Sequence, residues 1–242
     1  MRQYRLLAGF VIIFLFIYCR QQPAGKKEAP AQTSAVVQHQ DTARSLKVDS
    51  PADLRGFRSC FYKRLFKSGT IAVDVKRIKI DDSYYDSCIV NVRIVDDASK
   101  KSKQIISFTT RLLTEDNFTK PGAARSYITG KNVRSEVVDN EYGDIVVADF
   151  NFDAKEDIAL LSDIGGNAGP YYNFYIQGED GEYHIDQYLT DSMMLFPSHF
   201  DKTKKTLTTL GHAGVAYVGE NIYKLDMIRN KWLHLSYRII RD

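Results

Sequence analysis

From Gly69 to the C-terminus, apolar and polar residues alternate with a period of two, the pattern of strands with one face buried. Ile71, Val73 and Val75 set the rhythm, which runs to Ile80 before Asp81-Asp82-Ser83 predicts a turn. Further strands are predicted at 89–95, 105–113, 145–150, 158–161, 171–176, 183–189, 207–210, 222–228 and 233–240. Asp180-Gly181 and Arg229-Asn230-Lys231 read as hairpin turns. Ahead of this series, Phe57, Cys60, Phe61, Leu65 and Phe66 recur at three- and four-residue steps, which predicts one short N-terminal helix. Strands at near-regular spacing, with no long helical stretch between them, predict an all-β, antiparallel domain over residues 53–242. Periodicity alone leaves propeller, sandwich and barrel open.

The first 52 residues read differently. Met1 to Arg5 is short and doubly basic, and residues 6–18 are almost wholly apolar. These are the n- and h-regions of a secretory signal, too short for a comfortable membrane span. Cys19 follows directly, so segment 1–18 with Cys19 resembles a bacterial lipoprotein signal. That resemblance implies acylation of Cys19 and a lipid anchor in the cell envelope, on the periplasmic face of a bacterial membrane. Cleavage elsewhere and an uncleaved anchor are the alternatives. Residues 19–52 are rich in Gln, Ala, Pro, Ser and Lys, with too little apolar surface to offset the entropy of ordering. They read as a disordered tether.

Composition sharpens this division. Fifteen Tyr and thirteen Phe against one Trp suit strands. The net charge of +3 comes from the leader: residues 1–52 hold seven Lys/Arg and three acids, leaving the body near −1. A near-neutral body gives no long-range attraction for phosphate backbones, so nucleic acid is not an expected partner. Cys60 and Cys88 are the two cysteines beyond Cys19. In an exported chain they read most simply as a disulfide, the other reading being two buried thiols.

The segment with a mechanism is Asp149-Phe-Asn151-Phe-Asp153-Ala-Lys-Glu-Asp157. Oxygen-bearing side chains stand at relative positions 1, 3, 5 and 9, the offsets at which a tight loop turns alternate residues inward around Ca²⁺. Asp149, Asn151, Asp153 and Asp157 would supply side-chain oxygens and Lys155 its backbone carbonyl. Phe150 and Phe152 would face the core. The plainer reading is an acidic turn, in which Asp and Asn serve the backbone. Ala154 stands where such loops place Gly, and a left-handed conformation there costs about 1–2 kcal/mol.

Residues 144–178, with DFNFD, ED followed by IAL, GGN and YYNFY, resemble calcium-binding repeats of FG-GAP and VCBS type. More narrowly they are similar to exported bacterial lipoproteins carrying one such repeat. That group includes xanthomonad immunity proteins against peptidoglycan-hydrolase toxins. The resemblance implies a small β-propeller-like domain, one bound Ca²⁺, and a non-catalytic inhibitor of a lysozyme-like peptidoglycan hydrolase. Binding another partner or a glycan, without inhibition, is the alternative function.

After the loop, Gly165-Gly166-Asn167-Ala168-Gly169-Pro170 leads into Tyr171, Tyr172 and Asn173. Beside a calcium-stiffened loop, Gly166, Asn167, Tyr171, Tyr172 and Asn173 could reach into an enzyme cleft; the bland alternative is a flexible connection before an aromatic strand. Gly211–Tyr217 is a second stretch of small residues before a strand. Enzyme signatures are lacking: the histidines are scattered, and neither a G-x-S-x-G elbow nor a phosphate-binding G-x-x-x-x-G-K-[ST] loop occurs. Thirty carboxylates guarantee some pair at glycosidase spacing, so that signal carries no specificity.

Overall fold

Strands form where β-branched and aromatic residues recur at every second position, and the fold follows that rhythm closely. The computed structural model describes residues 57–67, 69–78, 86–113, 117–166 and 169–241. The predicted signal (1–18), Cys19, the tether (19–52) and the turn at 81–83 lie outside the described residues. All described residues belong to one unit, Lys47–Asp242. It is all-β, with three sheets that are antiparallel except at one pairing, and none closes into a barrel.

The first sheet comprises β1 (Phe57–Tyr62), β2 (Gly69–Ile78), β3 (Asp86–Asp96) and β4 (Ser102–Leu113), paired in that order. Val73 lies opposite Val92, which lies opposite Ile106, so one buried apolar row crosses three strands. The middle sheet holds β5 (Ala124–Ser126), β6 (Ile145–Ala148), β7 (Asp157–Asp163), β8 (Tyr171–Gln177) and β9 (Tyr183–Ile185), with β5 parallel to β6. All of β6, and β7 from Asp157 to Leu161, is buried, so this sheet is covered on both faces there. The third sheet comprises β10 (His199–Asp201), β11 (Thr206–His212), β12 (Tyr217–Asp226) and β13 (Lys231–Arg241).

Specific ties join the sheets. The Gln104 side chain donates to the Tyr183 carbonyl at 2.8 Å and accepts its N–H at 2.7 Å, pairing like an extra residue of backbone. Trp232 Nε1 donates to Asp186 Oδ2 at 3.2 Å, and Asn140 Nδ2 to the Leu210 carbonyl at 2.8 Å. The core between the middle and third sheets is aromatic: Phe150 meets Phe174 edge-on at 5.1 Å and Phe196 at 5.7 Å, with Phe200 alongside at 5.8 Å. Among the described residues no helix is long and apolar enough to cross a membrane.

Three sequence expectations are corrected. Residues 57–62 are strand β1, not helix, because Cys60 and Tyr62 face inward against β2 while Ser59 and Phe61 face out. The run 183–189 is strand only to Ile185, since Asp186 Oδ1 accepts the Leu189 N–H at 2.9 Å and starts a π-helical turn, Leu189–Met193. Cys60 and Cys88 are not bonded to each other. Cys60 lies opposite Val73 and Cys88 opposite Arg77, on the two strands flanking β2 and four residues apart in register. Two strand spacings alone separate them by about 10 Å, beyond the ~7 Å Cα limit of a disulfide. Cys60 Sγ instead donates to the Thr119 carbonyl at 3.2 Å.

Asp144 closes the passage from the first sheet to the middle one. Its Oδ2 accepts the Phe118 N–H at 2.6 Å and its Oδ1 the Asn117 amide at 2.9 Å. Burial pushes its carboxyl up to about 6 from the ordinary 3.8, against the pull of those two hydrogen bonds. The folded state therefore holds this proton more tightly than the unfolded chain. The stability it contributes is fully present below pH 3.8 and is lost as pH rises through 6. Asp144→Asn is expected to remove that decline, on the order of 3 kcal/mol across the window. Urea unfolding of both proteins from pH 4 to 7 checks it, and parallel pH curves would refute the assignment.

Candidate metal centre

Residues 149–156 turn the chain from β6 into β7, closed at the base by the pairing of Ala148 with Asp157. Phe150 and Phe152 are buried between polar neighbours, as the sequence predicts for an alternating loop. Phe150 enters the aromatic core; Phe152 lies 6.4 Å from Trp232 and beneath Lys205 Nζ. These two anchors turn Asp149, Asn151 and Asp153 to the other side.

Asp157 is fully buried and holds the loop by its backbone. One oxygen accepts the Phe150 N–H at 2.8 Å, with Asn151 N at 3.4 Å; the other accepts the Gln177 N–H from β8 at 2.9 Å. Burial pushes its carboxyl up to about 7, against those N–H donors. Asp149 is only 8% exposed. Its Oδ2 accepts the Ala154 N–H at 3.2 Å, whereas its Oδ1 is buried with no hydrogen-bond partner. Such an orphan is the kind of polar atom a cation completes. Asn151 is half-buried and exchanges hydrogen bonds with exposed Asp153 at 3.0 and 3.1 Å. The Lys155 N–H donates to Asp153 Oδ1 at 2.8 Å, and its ammonium reaches Glu179 at 2.6 Å and Asp153 at 3.6 Å. The Glu179 carboxylate holds that ammonium's pKa above its ordinary value.

A second acidic group, missed by the sequence reading, lies at the same end of the sheet. Asp180, Glu182 and His184 flank the β8–β9 turn, and their ligand atoms lie within 4.8 Å of one another, an arrangement that could hold a metal ion. It is the one such group of three among the described residues; the loop carboxylates, each held by its own N–H donors, stand further apart. His184 Nε2 lies 3.1 Å from Asp180 Oδ2, and the Glu182 N–H holds the Asp180 carboxyl below its ordinary value. The signal was present as D-x-E-x-H, where alternate residues share one side of a hairpin.

The glycine-rich segment is not beside this loop. β7 separates the two, and its seven residues span roughly 20 Å. Gly165 has φ +69°, and a Cβ there would meet the Gly169 carbonyl at 1.8 Å, so only glycine closes this turn. Gly166 is exposed, Tyr171 and Asn173 are half-buried, and Asn167 lies outside the described residues. Tyr172 cannot meet a partner: it is 1% exposed, its hydroxyl donates to the Gly143 carbonyl at 3.0 Å, and its ring packs on Phe196. The end of the fold does, however, unite both small-residue stretches. Gly166, Gly169, His212, Gly214 and Val215 share one concavity of about 370 Å³ with Asp139. Val215 is fully exposed, and Tyr217, Tyr237 and Ile239 extend the apolar surface along β12 and β13.

No family model, curated protein or solved structure matches this chain. The loop's own geometry therefore carries the argument. Ala154 has φ +68°, the left-handed conformation that its position demands. Ala154→Gly is expected to stabilise the domain by about 0.5–1 kcal/mol, the relief of strain less the entropy of glycine. Chemical denaturation measures this, and a lower unfolding midpoint would show that the strain is not there.

Proposed function

We propose that the loop 149–157 binds one Ca²⁺, and that the protein is a non-catalytic envelope lipoprotein inhibiting a lysozyme-like peptidoglycan hydrolase. The observation that carries the metal reading is the orphaned, buried Oδ1 of Asp149 in a loop already folded around it. Asp149, Asn151, Asp153, Asp157 and the Lys155 carbonyl would supply the oxygens that a hard cation prefers. Binding draws Asp153 off the Lys155 ammonium and gives the buried Asp157 carboxylate a countercharge. The exposed Asp180, Glu182 and His184 group includes an imidazole, which suits softer metals better than calcium. The three sheets, each made of strands consecutive in sequence, support the blade-by-blade organisation of a small propeller-like domain, the parallel β5 departing from it.

In this reading the metal end and the partner end are separate. Calcium fixes the β6–β7 turn, and the opposite rim, with Gly166, Tyr171 and Val215, plugs the hydrolase cleft. Cys19 is the lipid attachment point and residues 19–52 hold the domain off the periplasmic face of the membrane.

Calorimetric titration of the purified, chelator-treated protein is expected to give one-to-one Ca²⁺ binding with Kd on the order of 10 μM. Asp153→Ala should abolish this and Asp180→Ala leave it unchanged; no binding at millimolar calcium would reduce the loop to an acidic turn. In a separate assay, the protein should slow the clearing of a peptidoglycan suspension by a lysozyme-like enzyme. Val215→Glu or Tyr171→Ala should weaken that effect at least tenfold with little change in melting temperature. Binding to the enzyme without slower clearing would favour the alternative of a non-inhibitory partner, and clearing by the protein alone would make it a hydrolase.

A further inference from the structure

A cavity of about 450 Å³ lies between residues 117–144 and the chain from the end of β7 into β8, with Arg125, Lys120, Glu141, Tyr142, Asp144 and Tyr172 in its wall. Its size falls within the roughly 300–1,000 Å³ of small-molecule sites. Arg125, on β5, is the unusual member. It is 5% exposed, its Nη2 donates to the carbonyls of Ser135 at 3.0 Å and Glu136 at 3.5 Å, and among the described residues it has no ion pair. A guanidinium offers five N–H donors, and two carbonyls held by one nitrogen leave its charge without an ion-pair partner. A carboxylate is the group that matches its planar fork.

Most of the other charged residues in the wall have the opposite sign. Asp144 is buried, Glu141 stands close enough to oppose its ionisation, and Glu136 lines the same cavity. Lys120 adds a second cation. A polyanion would meet three acids here and a simple amine would meet the guanidinium. A molecule carrying both charges satisfies each wall.

We propose that this cavity binds a small zwitterion, an amino acid or the end of a short peptide, with its carboxylate on Arg125 and its ammonium toward Asp144 and Glu141. The site is independent of the calcium loop, so its test runs identically in chelator and in calcium. The purified full-length protein is titrated by calorimetry with alanine, alanyl-alanine, N-acetylalanine, alaninamide and inorganic phosphate. Alanine or alanyl-alanine should bind at least tenfold more tightly than the two blocked compounds and phosphate. The tighter of the two identifies a free amino acid or a peptide end as the source. Arg125→Met should weaken binding at least tenfold, and Glu141→Gln, at an exposed position that does not threaten folding, several-fold. Should Arg125→Met fail to fold, Glu141→Gln and the blocked compounds decide the matter. Undetectable binding at millimolar ligand, equal binding of N-acetylalanine or phosphate, or unchanged affinity in Glu141→Gln would overturn the proposal.

Discussion

The fold turns on a carboxylate that water does not reach. Asp157, at the first position of β7, gives both its oxygens to backbone N–H groups, one toward the loop it closes and one toward β8. Two elements that would otherwise leave donors unsatisfied in the interior are thereby held by one side chain. The same residue concentrates negative charge where burial makes charge expensive. The N–H groups of Phe150 and Asn151 in the loop and of Gln177 on β8 hold that carboxylate in place.

The strands were legible because each buries one face, and that leaves a mark at every second residue. Where a short element mixes two regimes the mark is lost. Phe57 to Phe66 looks helical because a strand that alternates from Cys60 to Tyr62 runs into a turn that buries Leu65 and Phe66 next to each other. The loop was legible for a related reason: Phe150 and Phe152 can both be anchors only if their neighbours face the other way. The same rule makes it impossible for Tyr171 and Tyr172 to be equally accessible, and it is Tyr172 that fills the core. What could not be read was register across strands. The offset between Cys60 and Cys88 is a property of how three strands align, and no local pattern encodes it.

The two ends of the sheets differ in kind. One gathers Asp149, Asp153, Glu156, Asp157, Glu179, Asp180 and Glu182, relieved by Lys155 and His184. The other is built of glycines, exposed apolar side chains and concave surface. The glycine turn is distant from the acidic loop, so any influence of one on the other passes along β7, whose Asp157–Leu161 half is fully buried. A strand packed on both faces transmits position rather than flexibility.

Each sheet is assembled from strands that follow one another in the chain, without a strand borrowed from far downstream. The contacts within a sheet are thus local in sequence, and closing them costs little chain entropy. Since no bond joins Cys60 to Cys88, the first sheet pairs without a covalent link between these two thiols. The order of synthesis can serve as the order of folding: the first sheet completes at β4, the middle sheet docks through the Gln104–Tyr183 pair, and the third arrives last to cover the aromatic core.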